Sequence, residues 1–181
     1  VFWEQFGIDI SGKSIGKEGY FLRPPGYGLF YMIFLKISNP PLALKLLKFA
    51  QLLLFAISIY WFYYICNSLI HNNKLALIGS MIYGISPFVV GFLYYTLTEG
   101  ISPAILLLYI FLLFKAFNST SISSKNTFYF FSALIFSYLF ILRPVLGMFC
   151  LLLPLFIIKD YLKSPLKIIF FKLFIYGSVS F

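Results

Sequence analysis

The sequence has little charge, little cysteine and a single histidine, and each shortage excludes a class of function. Only 10% of the 181 residues are charged, five of them Asp or Glu, whereas 61% are hydrophobic. A water-soluble fold of this length would not stay in solution with such a balance. No CxxC, GxGxxG, Walker, HExxH or GxSxG motif occurs, and no His/Cys pattern indicates a metal site. We therefore expect lipid to be the main solvent of this chain.

The cysteines, the histidine and the positive charge all have structural explanations. Cys66 and Cys150 each lie in an apolar run, which is typical of small buried hydrophobic side chains. His71 lies beside two asparagines, which favours a solvated helix cap over a catalytic group. The net charge of +9 does not indicate nucleic acid binding, because Lys and Arg stand singly between apolar runs. We interpret most of them as helix-end anchors near lipid headgroups.

Long apolar runs predict an all-α, polytopic transmembrane helical bundle. In the hydrocarbon core each backbone polar group must be paired within the protein, and runs without alternation favour helices over a barrel. The whole chain is predicted to be part of one transmembrane domain. We expect both ends to be truncated, since the chain begins without Met and stops inside an apolar run. The predicted transmembrane helices are 42–70, 75–95, 100–117, 127–142 and 145–158, with the start of another at 168–181.

The N-terminal part differs from the rest of the chain. Residues 1–25 hold most of the acidic side chains and read as an extracytoplasmic loop. Pro24 and Pro25 then open the apolar stretch 26–38, which is too short to cross a bilayer of about 30 Å. This pattern predicts an interfacial or re-entrant helix.

Two later stretches must bend. The apolar residues 75–117 would form a helix about 65 Å long, twice the membrane thickness, so we expect a corner near 95–103. Arg143 and Pro144 break the next stretch into two short or tilted helices. Alternating the loops places Glu99 and Arg143 on the face of the N-terminal loop. The opposite face, cytoplasmic by its positive charge, holds Lys74, Lys125, Lys159, Lys163 and Lys167.

Three charged residues occupy unusual positions: two lie within apolar stretches, and one precedes two prolines that restrict the backbone. Glu99 and Arg143 interrupt apolar stretches, where a charge costs about 2.5 to 3.5 kcal/mol at the centre of a spanning helix. They either help to form a mixed-charge pocket with Arg23, or mark helix ends and pair with each other. Arg23, held by two prolines, is suited to bind a phosphate through its planar fork. The alternative is a loop-to-helix boundary with a snorkelling side chain.

The segment 23–30, with the sequence RPPGYGLF, resembles the RPPGYPLF element of bacterial membrane glycosyltransferases of the GT-C type. These are related to family 39 and to the dolichyl-phosphate-mannose protein mannosyltransferase and aminoarabinose transferase group. Gly28 replaces the proline that is usual there. The family's later elements follow in order at Asn39–Lys45 with Gln51, Ile85–Phe88, Leu97–Glu99 and Leu142–Pro144.

The resemblance implies a multi-pass enzyme of the cell (inner) membrane. It would move a sugar from a polyprenyl-phosphate donor to a hydroxyl of a lipid, glycan or protein acceptor at the extracytoplasmic face. No cofactor is implied, and a divalent metal requirement is left open. Nucleic acid is not an expected partner.

The resemblance also implies roles for particular residues. Arg23 and Arg143 would bind the donor phosphate, and Tyr27 and Glu99 would shape the pocket. The family's catalytic carboxylate lies in the first extracytoplasmic loop, where Glu4 and Asp9 are the candidates in this chain. We expect the true base to lie upstream of Val1, which would leave this fragment inactive by itself. These candidates are Glu4, Asp9, Arg23, Tyr27, Glu99 and Arg143.

Two other functions fit an apolar chain of this kind. An O-antigen-type polymerase or ligase is also polytopic and uses polyprenyl carriers, but it would need a large extracytoplasmic loop late in the chain. A non-enzymatic transporter of lipids or sugars would predict inverted repeats and discontinuous helices, and no such repeat is visible.

Overall fold

The computed structural model describes residues 26–87, 90–91 and 98–161, and over these residues the chain is helical without a strand. The predicted all-α helical bundle is therefore confirmed. The structure describes nothing of the N-terminal loop or of the helix predicted at 168–181. The helices are α1 (Gly26–Leu35), α2 (Pro40–Ile70), α3 (Asn73–Ile85), α4 (Thr98–Asn118), α5 (Ile122–Leu142) and, after a 3₁₀ segment (Pro144–Leu151), α6 (Leu152–Tyr161).

Helices α2, α4 and α5 are each long and apolar enough to cross a membrane. On that ground the chain is a membrane protein. Helix α1 is apolar but has only 10 residues, about 15 Å of helix, in agreement with the short helix expected there. Helix α3 and the 3₁₀ segment with α6 cover parts of the two other predicted spans, and neither is one of these three.

Helices α2 and α3 form a hairpin with a two-residue corner. His71 ends α2 in the left-handed conformation (φ 54°), and its N–H donates to the carbonyl of Asn67 at 3.0 Å. The side chain of Asn72 then accepts hydrogen bonds from the N–H groups of Lys74 and Leu75, which caps α3. The exposed His71 is thus a helix cap, as its sequence context predicted.

Ring contacts show the directions of the helices. Tyr83 of α3 stacks on Phe62 of α2, with 5.0 Å between the ring centroids, so α3 runs back along α2. Phe111 of α4 lies 5.1 Å from Tyr64 of α2. Helix α5 returns along α4, with which it makes the most extensive helix contact in the described part of the bundle. Helices α2 and α4 therefore run in the same direction, and α3 and α5 run in the opposite direction.

Several helix boundaries differ from those predicted, among them the starts of α4 and α5. Helix α5 begins at Ile122, after Ser121, rather than at 127, because polar residues can form the first turn of a helix whose end reaches water. Helix α4 begins at Thr98 rather than at 100, with Pro103 inside it. Sequence polarity indicates contact with solvent, but it does not show whether the backbone is helical.

The predicted break at Arg143 is present. Arg143 has extended backbone angles (φ −154°, ψ 92°) between α5 and the 3₁₀ segment. Pro144 explains this, because a proline disfavours helical angles in the residue before it. The 3₁₀ segment then packs back on the bundle, where the hydroxyl of Tyr109 donates to the carbonyl of Phe149 at 3.1 Å.

Helix α1 begins directly against the last turn of α5. A Cβ atom at Gly26 would lie 2.5 Å from Leu142 Cα and 2.9 Å from the carbonyl carbon of Ile141. These are backbone atoms and have no room to yield. The Gly26 carbonyl also accepts a hydrogen bond of 3.1 Å from the hydroxyl of Tyr138. Glycine is therefore required for the close approach of the two helices.

Replacing Gly26 by Ala tests this contact. We expect Gly26→Ala to lower the free energy of unfolding by about 1 to 3 kcal/mol, the usual cost of overpacking. Thermal unfolding of the purified protein in detergent would measure it. Gly91→Ala is the matched control, because a Cβ at Gly91 meets no atom within 4 Å. Equal stability of the two variants would contradict the close packing.

Candidate functional site

Glu99 and Arg143, predicted to share one membrane face, meet in the structure. Arg143 Nη2 lies 3.6 Å from Glu99 Oε1, with the arginine side chain 39% exposed and the glutamate 31% exposed. The other carboxylate oxygen, Oε2, accepts a hydrogen bond of 3.0 Å from the hydroxyl of Thr98. The contact is long for an ion pair, and both groups remain partly open to their surroundings.

Helix ends explain how these charges are tolerated in an apolar chain. Glu99 lies in the first turn of α4, where the helix dipole favours a negative charge. Arg143 caps the end of α5, where a positive charge is favoured. In addition, Pro103 has no N–H to donate to the Glu99 carbonyl, so this carbonyl lacks its usual partner within the helix. This end of α4 is therefore more polar than an uninterrupted helix.

A buried polar group joins α1 to α2 beside this end of the bundle. Gln51 is fully buried, and its Nε2 donates to the hydroxyl of Tyr27 at 2.7 Å. Tyr27 itself is 3% exposed. Burial raises the pKa of the Tyr27 phenol well above its ordinary value, against the opposing effect of the hydrogen bond from Gln51. Tyr27 is therefore neutral and cannot serve as an anionic group here.

Gln51 and Tyr138 are candidate functional residues that the sequence did not single out for a role. Gln51 was part of the family resemblance but was given no role, although a glutamine within an apolar span by itself indicates a structural or functional polar contact. Nothing in the sequence distinguished Tyr138 from the many other aromatic residues. Its contact with the Gly26 carbonyl joins residues 112 positions apart, which only the fold brings together.

Arg23, Glu4 and Asp9 lie outside the residues that the structure describes, so their predicted roles stay predictions. Gly26 contacts Leu142, the residue before Arg143. The start of α1 and Arg143 therefore lie at the same end of the bundle.

The opposite end carries lysines. Lys115 Nζ lies 5.0 Å from the centre of the Tyr64 ring, and Lys159 Nζ lies 5.0 Å from that of Phe117. Lys74 and Lys125 occupy the first turns of α3 and α5 at the same end. This is the face that the sequence predicted to be cytoplasmic.

The other concave features in the described part of the chain do not suggest chemistry. An open apolar groove of about 450 Å³ runs along the outer side of α3 and carries no charged group. Among the described residues, no group of three or more His, Cys, Asp and Glu side chains could hold a metal ion. The groove is lined by Ile78, Met81, Ile82, Ile85, Ser86 and Pro87.

A double-mutant cycle would test how far Glu99 and Arg143 depend on each other. Because both side chains are partly exposed, we expect Glu99→Gln, Arg143→Gln and the double variant to give a coupling energy of about 0.2 to 1 kcal/mol. Unfolding in detergent would measure it. A coupling of several kcal/mol would mean that the pair is a desolvated structural bridge without capacity for a ligand.

Comparison with known proteins adds no family to these observations. No protein-family model matches the chain, and no curated protein and no solved structure matches it.

Proposed function

We propose that this chain is part of a multi-pass glycosyltransferase of the inner membrane. The enzyme transfers a sugar from a polyprenyl-phosphate donor to an acceptor hydroxyl at the extracytoplasmic face. One observation carries the proposal: the Arg143 guanidinium is partly exposed at the bundle end where α1 begins, and Glu99 holds it by a single contact of 3.6 Å.

The leaving group of this reaction explains the need for arginine. When the sugar–phosphate bond breaks, negative charge develops on the lipid phosphate, and fixed cations stabilise it. A guanidinium stays charged and binds phosphate oxygens in pairs. Because only one Nη atom of Arg143 faces Glu99 in the ion pair, the rest of its fork can take a phosphate oxygen. Arg23 is the second cation of the proposed site.

Glu99 has a positioning role in this proposal. One of its carboxylate oxygens faces Arg143 and the other accepts a hydrogen bond from the Thr98 hydroxyl, so the carboxylate is oriented toward the arginine. We therefore do not assign it the role of base. The proton goes instead to a carboxylate of the first extracytoplasmic loop, to which Glu4 and Asp9 belong. Tyr27, neutral and buried, forms part of the wall of the proposed pocket at the start of α1.

Replacing Arg143 tests the phosphate site. In membranes carrying the full-length protein, we expect Arg143→Ala to lower transfer of radiolabelled sugar from polyprenyl-phosphate donors by about 10² to 10³, as for loss of one charge-stabilising donor. Arg143→Lys should retain part of the activity, because lysine keeps the charge without the fork. Arg23→Ala should behave like Arg143→Ala. Lys74→Ala, an exposed cation at the other end, is the control and should leave transfer unchanged.

Unchanged transfer by Arg143→Ala would reject its phosphate role. If the unaltered protein transferred no sugar from any donor, the glycosyltransferase itself would be rejected in favour of the polymerase or the transporter.

The proposed orientation can be tested separately. We place Asn39→Cys and Thr120→Cys singly in a protein whose two native cysteines are replaced by Ser, since both positions are exposed and lie at opposite ends of the bundle. A membrane-impermeant maleimide applied to intact spheroplasts should label residue 39, and should label residue 120 only after permeabilisation. The reverse pattern would place the arginine end in the cytoplasm and exclude extracytoplasmic transfer.

A further inference from the structure

The hydrogen bond between Gln51 and Tyr27 is poorly explained by stability. Gln51 is fully buried, and its Oε1 has no hydrogen-bond partner among the described residues. A buried acceptor without a partner is costly, and an apolar pair of similar volume often gives a fold of equal or greater stability. We therefore look for the role of this pair in the part of the structure that it holds in place.

It holds the first turn of α1. Tyr27 is the second residue of this helix, and Gln51 of α2 donates to its hydroxyl at 2.7 Å. The residue before it, Gly26, receives the Tyr138 hydroxyl on its carbonyl and packs against the backbone of Leu142. Two helices thus fix one turn, by polar contacts from α2 and α5 and by a backbone contact with α5.

The other end of α1 is tied differently. The hydroxyl of Tyr31 reaches the carbonyl of Pro40, the first residue of α2, at 3.4 Å. This contact is local in sequence and does not involve α5. Only the N-terminal turn of α1 is therefore linked by these hydroxyl contacts to the helix that ends at Arg143.

We infer that Gln51 and Tyr138 are positioning residues, which hold the start of α1 against the last turn of α5, beside Arg143. The catalytic consequence rests on the proposed phosphate site, whereas the positional consequence does not.

The positional part is tested by distance measurement. Met32 and Val145 are exposed, on α1 and directly after Pro144, and each would be replaced by Cys and spin-labelled after removal of the native cysteines. In lipid nanodiscs, we expect Gln51→Met combined with Tyr27→Phe, and Tyr138→Phe, to broaden the distance distribution at least about twofold. Tyr31→Phe, which removes a hydroxyl from the same helix, should leave it unchanged.

The catalytic part is tested by kinetics of the unlabelled full-length protein. The Gln51→Met, Tyr27→Phe double variant should raise KM for the polyprenyl-phosphate sugar by about tenfold and change kcat less than about twofold, because Arg143 stays in place. Its thermal midpoint should be equal to that of the unaltered protein or higher. A merely structural role would instead lower the midpoint and leave KM unchanged.

The outcomes separate this inference from the proposed function. An unchanged distance distribution in both test variants overturns the inference, whatever the activity. A broadened distribution with unchanged KM overturns its catalytic part. A broadened distribution in a protein that transfers no sugar supports the positioning of α1 and rejects the glycosyltransferase.

Discussion

The backbone contact between Gly26 and Leu142 is the constraint on which the arginine end of the bundle depends. Since no side chain separates the two stretches of backbone, α1 can start only where the last turn of α5 leaves room. That position brings Tyr27 within hydrogen-bond distance of Gln51 and the Gly26 carbonyl within reach of Tyr138. A short apolar helix, too short to span a membrane by itself, is thereby fixed to two longer ones.

Prolines place the charged groups of this end. Pro144 makes the preceding arginine extended, so Arg143 lies at the end of α5 and not within a continuous span. Pro103 weakens the hydrogen bonding of the first turns of α4, where Glu99 lies. In both cases a charge that would be costly in the middle of an apolar helix lies instead at a terminus, where the helix dipole favours its sign.

Cations make different contacts at the two ends of the bundle. At one end a guanidinium faces a carboxylate and keeps part of its planar fork open. At the other end the ammonium groups of Lys115 and Lys159 lie over aromatic rings, an attraction that requires no carboxylate. Long lysine side chains suit a headgroup region, where the stem stays apolar and the charge reaches water. A phosphate site calls for the directional group, and it is the arginine end that has it.

Much of the fold followed from the sequence because lipid imposes helices on any long apolar run. That argument predicted the short helix after Pro25 and the long span that became α2. The Arg143-Pro144 pair predicted the break, and alternating the loops predicted the shared end of Glu99 and Arg143. It misplaced the start of α5 by five residues, because Ser, Asn and Lys mark contact with water and say little about backbone conformation.

The sequence by itself determined the helical class and the break at Arg143 and Pro144, since these depend on local chemistry and on the membrane. Only the tertiary structure decided that Gly26 meets Leu142, that Gln51 holds Tyr27, and that Glu99 touches Arg143 by one long contact. These contacts join residues 24 to 116 positions apart along the chain. Their partners are selected by packing between helices, and hydrophobic periodicity carries no information about which uniform apolar faces will meet.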